Sequence, residues 1–166
     1  MWRYIPRDAD PLHAGYIVEA GGRWNRKRRY GCLYTALSME GAVAEYDKAV
    51  GAWGIDEPRD LVSLEVRVAP VRDLTTEMAK WALGFRIDEL TADGEQPLEH
   101  CRRLADQTLA RGYNAILAPS AARAGELNLM IYLRGDLTLR HGPDRRALNY
   151  GYDRLTEQDV DKPDLF

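Results

Sequence analysis

Two hydrophobic periods follow one another in this chain, and together they require a fold that contains both helix and sheet. Between Ser38 and Gly54 the apolar residues Ala42, Val43, Tyr46, Ala49, Val50 and Trp53 recur at helical spacing. Ser38 is placed to cap that helix, with Glu40 in its first turn and Gly51 and Gly54 at its end. From Leu61 the period drops to two. Val62, Leu64, Val66 and Val68 alternate with Ser63, Glu65 and Arg67 until Pro70, the pattern of a half-buried strand.

The remaining segments extend this mixture. Trp2 to Ile5, Gly31 to Leu37, Asn114 to Ala118, Asn128 to Leu133 and Leu137 to Arg140 read as strands. Tyr16 to Val18 is another short apolar stretch. Thr75 to Leu83 reads as a short helix stopped by Gly84. A longer helix opens near Pro97, carries Leu98, Cys101, Leu104, Ala105 and Leu109, and ends at Gly112. The stretch from Asp88 to Gln96 is polar and predicts a loop, and residues 141–166 predict a polar tail beyond a single domain spanning 1–140. Strands interrupted by helices without strict βαβ alternation indicate an α+β fold. No Gly-x-Gly-x-x-Gly follows a strand and no Walker-type loop is present, so a Rossmann or P-loop mode of nucleotide binding is not expected.

Bulk properties narrow the class. A chain of 166 residues, 45% apolar and 30% charged, is long enough to bury a core. A net charge of −3 gives no general attraction for nucleic acid or an anionic membrane. No apolar run approaches the ~20 residues that span a bilayer. Met1-Trp2-Arg3-Tyr4 lacks the apolar core of a signal peptide, so a cytoplasmic location is expected. Cys32 and Cys101 both lie in apolar contexts and read as buried thiols rather than a disulfide. Two cysteines and three scattered histidines show no metal-ligand spacing, so no metal is expected.

Three residues at intervals of eleven carry the chemistry: Arg23 in a Gly-Gly-Arg-Trp-Asn loop, Tyr34 on the following strand and Glu45 in the helix. A guanidinium suits pyrophosphate oxygens, an aromatic ring suits a flat heterocycle, and a carboxylate suits a growing positive charge. Glu45 falls about 60° around the helix from Ala42, at the border of the apolar face, where a carboxylate is costly unless it is partnered or used. Taken singly, each residue has an ordinary structural explanation: a salt-bridged Glu, a core Tyr, an Arg capping a turn. As a set they match the chemical outline of nicotinamide adenine dinucleotide (NAD).

The runs Gly21-Gly22-Arg23-Trp24-Asn25, Gly31-Cys32-Leu33-Tyr34-Thr35-Ala36 and Ala42-Val43-Ala44-Glu45 closely resemble the first half of the RES domain, a family named for Arg, Glu and Ser. Leu109 to Ser120, with its Ala118-Pro119-Ser120 end, and Asn128 to Tyr132 resemble its second half, and Trp2-Arg3-Tyr4 its opening. The resemblance implies an ADP-ribosyltransferase-like fold of mixed sheets with flanking helices. It implies a toxin of a bacterial toxin–antitoxin pair that consumes NAD at the nicotinamide–ribose bond, by hydrolysis or phosphorolysis, or else transfers ADP-ribose to a protein acceptor. NAD is then a substrate, and no cofactor is implied. On the matching positions, Arg23, Tyr34 and Glu45 are expected to be catalytic, and Arg3, Tyr4, Trp24, Asn25 and Ser120 to bind substrate. The partner implied is an Xre-type helix-turn-helix antitoxin, so contact with DNA would belong to that partner. A non-catalytic nucleotide- or partner-binding module is the reading from another class.

One segment departs from the family pattern. Arg26-Lys27-Arg28-Arg29 stands where Pro and Gly are common. It reads as a solvated basic loop, with steering of an anionic ligand or docking of an acidic antitoxin segment as the functional alternatives.

Overall fold

Helices cover one face of a mixed sheet, and the sheet's own outer strands cover much of the other. The computed structural model describes residues 1–54, 57–135 and 137–148. Its elements run β1 (Trp2–Pro6), α1 (Gly15–Ala20), β2 (Cys32–Ala36), α2 (Met39–Trp53), β3 (Arg59–Val68), β4 (Val71–Asp73), α3 (Glu77–Leu83), α4 (Ile87–Thr91), α5 (Glu95–Ala110), β5 (Ala115–Pro119), β6 (Leu127–Tyr132) and β7 (Leu137–Leu148). The strands join in the order β4-β5-β6-β2-β1-β3-β7, with β4 and β5 parallel and all other neighbours antiparallel. The architecture is the α+β class expected from the sequence.

Alternation along the central strands divides the core in two. Cys32, Ile116, Ala118, Met130 and Tyr132 pack with Leu90, Cys101, Leu104 and Ala105 of α4 and α5. The intervening residues Leu33, Ala115, Leu129 and Ile131 meet Val66, Val68, Leu137 and Leu139 from β3 and β7. The sheet therefore curls so that its far strands face its centre. A third cluster joins α2 to the sheet through Ala36, Ala42 and Leu61. Fully burying a large aliphatic side chain contributes about 1.5–3 kcal/mol, so these clusters supply the main driving force.

Helix ends follow the sequence signals. The Ser38 hydroxyl accepts from the Gly41 amide at 2.9 Å, and Gly54 closes α2 in the left-handed conformation. Thr76 and Gly84 do the same for α3. Both cysteines are free, buried thiols, and burial pushes the Cys32 thiol well up.

Three segments differ from the sequence reading, and a fourth, read only as a short apolar stretch, takes a helical form. Tyr16 to Val18 belongs to the short helix α1. The stretch predicted as loop from Asp88 contains α4, held by one fully buried residue, Leu90, and by Glu89, whose carboxylate accepts from the Arg86 amide at 2.7 Å. A single apolar anchor leaves no periodicity to read. In β3, Leu61 to Leu64 are all buried, and alternation begins only at Glu65. A register shift between Val62 and Leu64 explains this: Ser63 turns onto β7, accepts from the Asp144 amide at 3.0 Å and fills the space that a side chain at Gly142 would need. Finally, β7 continues past Arg140 to Leu148, pairing with β3 down to Arg59, so residues 141–148 of the expected tail are strand. Gly142 and Pro143 interrupt the pattern in sequence, yet an edge strand tolerates Pro because one side of its backbone has no partner. Residues 149–166 lie outside the described residues.

Candidate active site

Small residues bring α2 down onto the sheet, and that closeness creates the site. Ala36, Ala42 and Ala118 are at most 2% exposed. A Cβ at Gly41 would stand 3.0 Å from the Ser38 hydroxyl and 3.1 Å from Glu126 Oε2, so the first turn has little room for a side chain. The Ser38 hydroxyl also donates to that Glu126 carboxylate, tying α2 to the loop between β5 and β6.

Glu45, partly buried on this helix, reaches the sheet with one oxygen. Its Oε1 accepts from Ser120 Oγ at 2.7 Å and from Asn128 Nδ2 at 2.6 Å. Asn128 lies on β6 between two alanines in register, Ala36 of β2 and Ala118 of β5, which leave space for its amide beneath the helix. Ser120 is 4% exposed and fully engaged: its hydroxyl also accepts from the Ala122 and Arg123 amides at 3.0 and 3.3 Å. That hydroxyl donates to the Glu45 carboxylate and accepts from two backbone amides, so it anchors the carboxylate to the loop after β5. Among the described residues, Glu45 Oε2 has no hydrogen-bond donor. Two strong bonds fix one oxygen and leave the other available for a ligand. Asn128 was not singled out in the sequence; its place in Asn128 to Tyr132 matched a motif, but nothing there marked it as a partner for a residue 83 positions away.

Tyr4 projects from β1 toward the same region, its ring 5.5 Å from that of Tyr46 on α2. Burial, then the neighbouring Tyr16 hydroxyl and the Glu45 carboxylate, push the Tyr4 phenol up to about 12. It is therefore a neutral donor at ordinary pH. Arg3, 3% exposed, donates to the Pro11 carbonyl at 2.9 Å and to the Tyr16 hydroxyl at 3.2 Å, while its buried Nε has no hydrogen-bond partner among the described residues.

The glycine loop presents Arg23 by a different set of contacts. Arg23 Nη1 donates to the Leu90 and Ala92 carbonyls at 3.0 and 2.8 Å, and Nη2 pairs with Asp93 at 3.0 Å. Arg102 of α5 holds the loop by donating to the Gly22 carbonyl at 3.0 Å. Tyr34 locks it from the sheet: its hydroxyl accepts from the Trp24 amide at 2.7 Å and donates to Asn25 Oδ1 at 3.0 Å. Gly22 is required because a Cβ there would come within 2.5 Å of that hydroxyl. Burial raises the Tyr34 phenol well above its ordinary value.

Two residues expected to bind substrate are buried inside the protein. Trp24 and Asn25, expected to bind substrate, are 3% and 0% exposed; Trp24 packs in the core and Asn25 donates to the Ile17 carbonyl at 3.1 Å. The Tyr34 hydroxyl is engaged by the Trp24 amide and the Asn25 side chain, while its ring, the part expected to meet the ligand, is only partly buried. Trp24 and Asn25 thus lie beneath the loop that carries Arg23. Arg23 and Glu45 are not bonded directly. Asp93 Oδ1, which pairs with Arg23, also accepts from Lys48 Nζ at 2.9 Å, and Lys48 lies three residues from Glu45 on α2.

The three arginines of the basic segment are paired within the fold. Arg26 pairs with Glu99 and Asp106, both at 2.6 Å, Arg28 with Glu19 at 2.9 Å and Arg29 with Asp106 at 3.7 Å. The carboxylates of Glu99 and then Asp106 raise the Arg26 guanidinium further. This supports the solvated-loop reading over a free cationic patch. A hollow beside it, lined by Tyr30, Asp106, Leu109 and Arg134 among others, touches none of the predicted site residues.

The chain belongs to the RES domain family, whose model matches residues 1–152. It is similar to MbcT, an NAD(+) phosphorylase of Mycobacterium tuberculosis, at 25% identity over 164 residues, covering 93% of this chain and 87% of the relative. The Mycobacterium bovis MbcT matches to the same extent. The fold is similar to a chain in the crystal structure of the M. tuberculosis MbcT-MbcA toxin-antitoxin complex, with a TM-score of 0.74 at 24% identity over 89% of this chain and 82% of that one. That likeness carries the fold. Among the described residues no helix is long and apolar enough to cross a membrane.

Proposed function

We propose that this protein is an NAD-cleaving enzyme that breaks the nicotinamide–ribose bond, with inorganic phosphate as acceptor, and that it acts as the toxin of a toxin–antitoxin pair in the cytoplasm. The observation that carries the reading is the Glu45 carboxylate, anchored through Oε1 by Ser120 and Asn128 with Oε2 unengaged among the described residues. Family membership and the NAD(+) phosphorylase activity of MbcT support it.

The chemistry asks little else of the protein. Nicotinamide is cationic in NAD and leaves neutral, taking the electron pair of the C1′–N bond, so no acid need protonate it. The ribose is left with oxocarbenium character, as in glycoside cleavage. Glu45 Oε2 placed beside that sugar stabilises the growing charge, and its fixed partner oxygen removes the cost of reorienting the carboxylate. Phosphate then forms the new bond to C1′, giving ADP-ribose 1-phosphate. Arg23, held by two backbone carbonyls, offers its remaining N–H to anionic oxygens. Tyr4 supplies a neutral hydroxyl near Glu45.

The deciding experiment incubates purified protein with NAD, with and without inorganic phosphate, and follows free nicotinamide. Release that depends on phosphate, with ADP-ribose 1-phosphate as co-product, is the expected result. Release independent of phosphate indicates hydrolysis, and label passing from NAD to an added cellular protein indicates ADP-ribosyl transfer. The partner proposed is an antitoxin of the Xre-type helix-turn-helix class. Co-expression with a cognate antitoxin of that class should abolish growth inhibition.

A further inference from the structure

We propose that Lys48 and Arg23 together form a seat for a phosphate-type anion, and that the carboxylate of Asp93 occupies this seat in the ligand-free protein. The proposal rests on the NAD-cleaving reading and adds Lys48 and Asp93, neither of which that reading uses. One carboxylate oxygen, Asp93 Oδ1, lies 3.0 Å from Arg23 Nη2 and 2.9 Å from Lys48 Nζ. Two cations converging on a single oxygen is the coordination expected of a phosphate oxygen. Among the described residues neither cation has another carboxylate partner.

The cations are built in, whereas the carboxylate is not. The Arg23 side chain is 13% exposed and its Nη1 is fixed by the Leu90 and Ala92 carbonyls. Lys48 also donates to the Ala121 carbonyl at 2.9 Å, which holds its ammonium beside Ser120, the residue that anchors Glu45. Asp93, by contrast, is 70% exposed and stands on the short connection between α4 and α5, just before Gly94 at φ 107°. Nothing packs it in place, and exposed ion pairs of this kind are weak, so an incoming dianion can displace it. Hydrogen bonding from Lys48, then the charges of Lys48 and Arg23, hold the Asp93 carboxyl below its ordinary value against a smaller opposing effect of burial, so it is ionised at neutral pH. Lys48 follows Glu45 by one helical turn and its ammonium bonds the carbonyl next to Ser120, which sets the seat on the side of α2 where Glu45 is anchored.

The same phosphate chemistry is available from free inorganic phosphate and from the pyrophosphate of a dinucleotide. Calorimetric titration with inorganic phosphate and, separately, with ADP distinguishes them in the parent protein, Asp93→Asn and Lys48→Met at low ionic strength. Removing the internal competitor in Asp93→Asn should tighten binding about three- to tenfold, and Lys48→Met should weaken it by a similar factor. Tightening for phosphate alone assigns the seat to the attacking anion; tightening for ADP assigns it to the dinucleotide. Asp93→Ser provides the same comparison should the Asn variant fold poorly. If both Asp93 variants bind phosphate and ADP no more tightly than the parent, the seat is overturned. Because neither probe is turned over, tightening without nicotinamide release would count against NAD cleavage alone, and normal release without tightening against the seat alone.

Discussion

Both donors on Glu45 end on the same oxygen, and that asymmetry makes the carboxylate a directed group rather than a solvated charge. Hydrogen bonds to a charged acceptor are worth about 1.5–3 kcal/mol each, so either donor's loss should free the carboxylate to rotate. Asn128→Ala is expected to lower kcat for nicotinamide release by about tenfold or more while leaving KM for NAD within a fewfold; equal losses in folding stability and KM would reduce Asn128 to a structural role. Tyr34→Phe tests the other half of the site. It removes a hydroxyl that satisfies both the Trp24 amide and Asn25 Oδ1, so thermal or denaturant unfolding should show a loss of about 1–3 kcal/mol. Glu45 was legible because its position on the helical wheel set a carboxylate at the edge of an apolar face. The burial of Trp24 and Asn25 is not legible for the converse reason. A sequence motif names residues that matter together but does not say which face the ligand and which face the core.

Among the elements, α2 carries the most consequence because its first turn is fastened twice, by the Ser38 cap and by the Ser38 contact with Glu126. Ser38→Ala removes both and should destabilise the protein by at least the ~0.5–2 kcal/mol of a lost cap, read from equilibrium unfolding. A loss no larger than an exposed substitution would mean the helix is held by packing alone. The caps of α2 and α3 could be read directly, since Ser, Thr and Gly act locally. The elements that could not be read depend on distant partners. α4 exists because Leu90 packs beneath α5, and the second half of β7 exists because β3 pairs with it across a bulge at Ser63. Gly142 and Pro143 look like a strand terminator until the neighbouring strand is known.

At the scale of the whole molecule, Asp60 of β3 ties the segment after β1 to β7, accepting from the Asp8 amide at 3.1 Å and from Arg145 at 2.7 Å, with Arg7 at 3.5 Å. Burial alone would raise this carboxyl, but the Asp8 amide and the Arg145 and Arg7 guanidiniums outweigh it and hold it below 3.8. A depressed carboxyl contributes stability that is present above its unfolded value and lost as pH falls through the folded one. Unfolding experiments should therefore show an acid loss of stability below about pH 4 that is flatter in Asp60→Asn; an unchanged acid limb would remove Asp60 from that role. The mixed fold was visible in the two hydrophobic periods, whereas the curl that buries the second face was not, because it arises from contacts between strands far apart in sequence. The most direct measurement of the central claim is nicotinamide release from NAD by Glu45→Gln, which keeps the size of the side chain and removes its charge. A fall of about 10²–10³-fold is expected, with folding and NAD binding retained. A rate within threefold of the parent protein would contradict it.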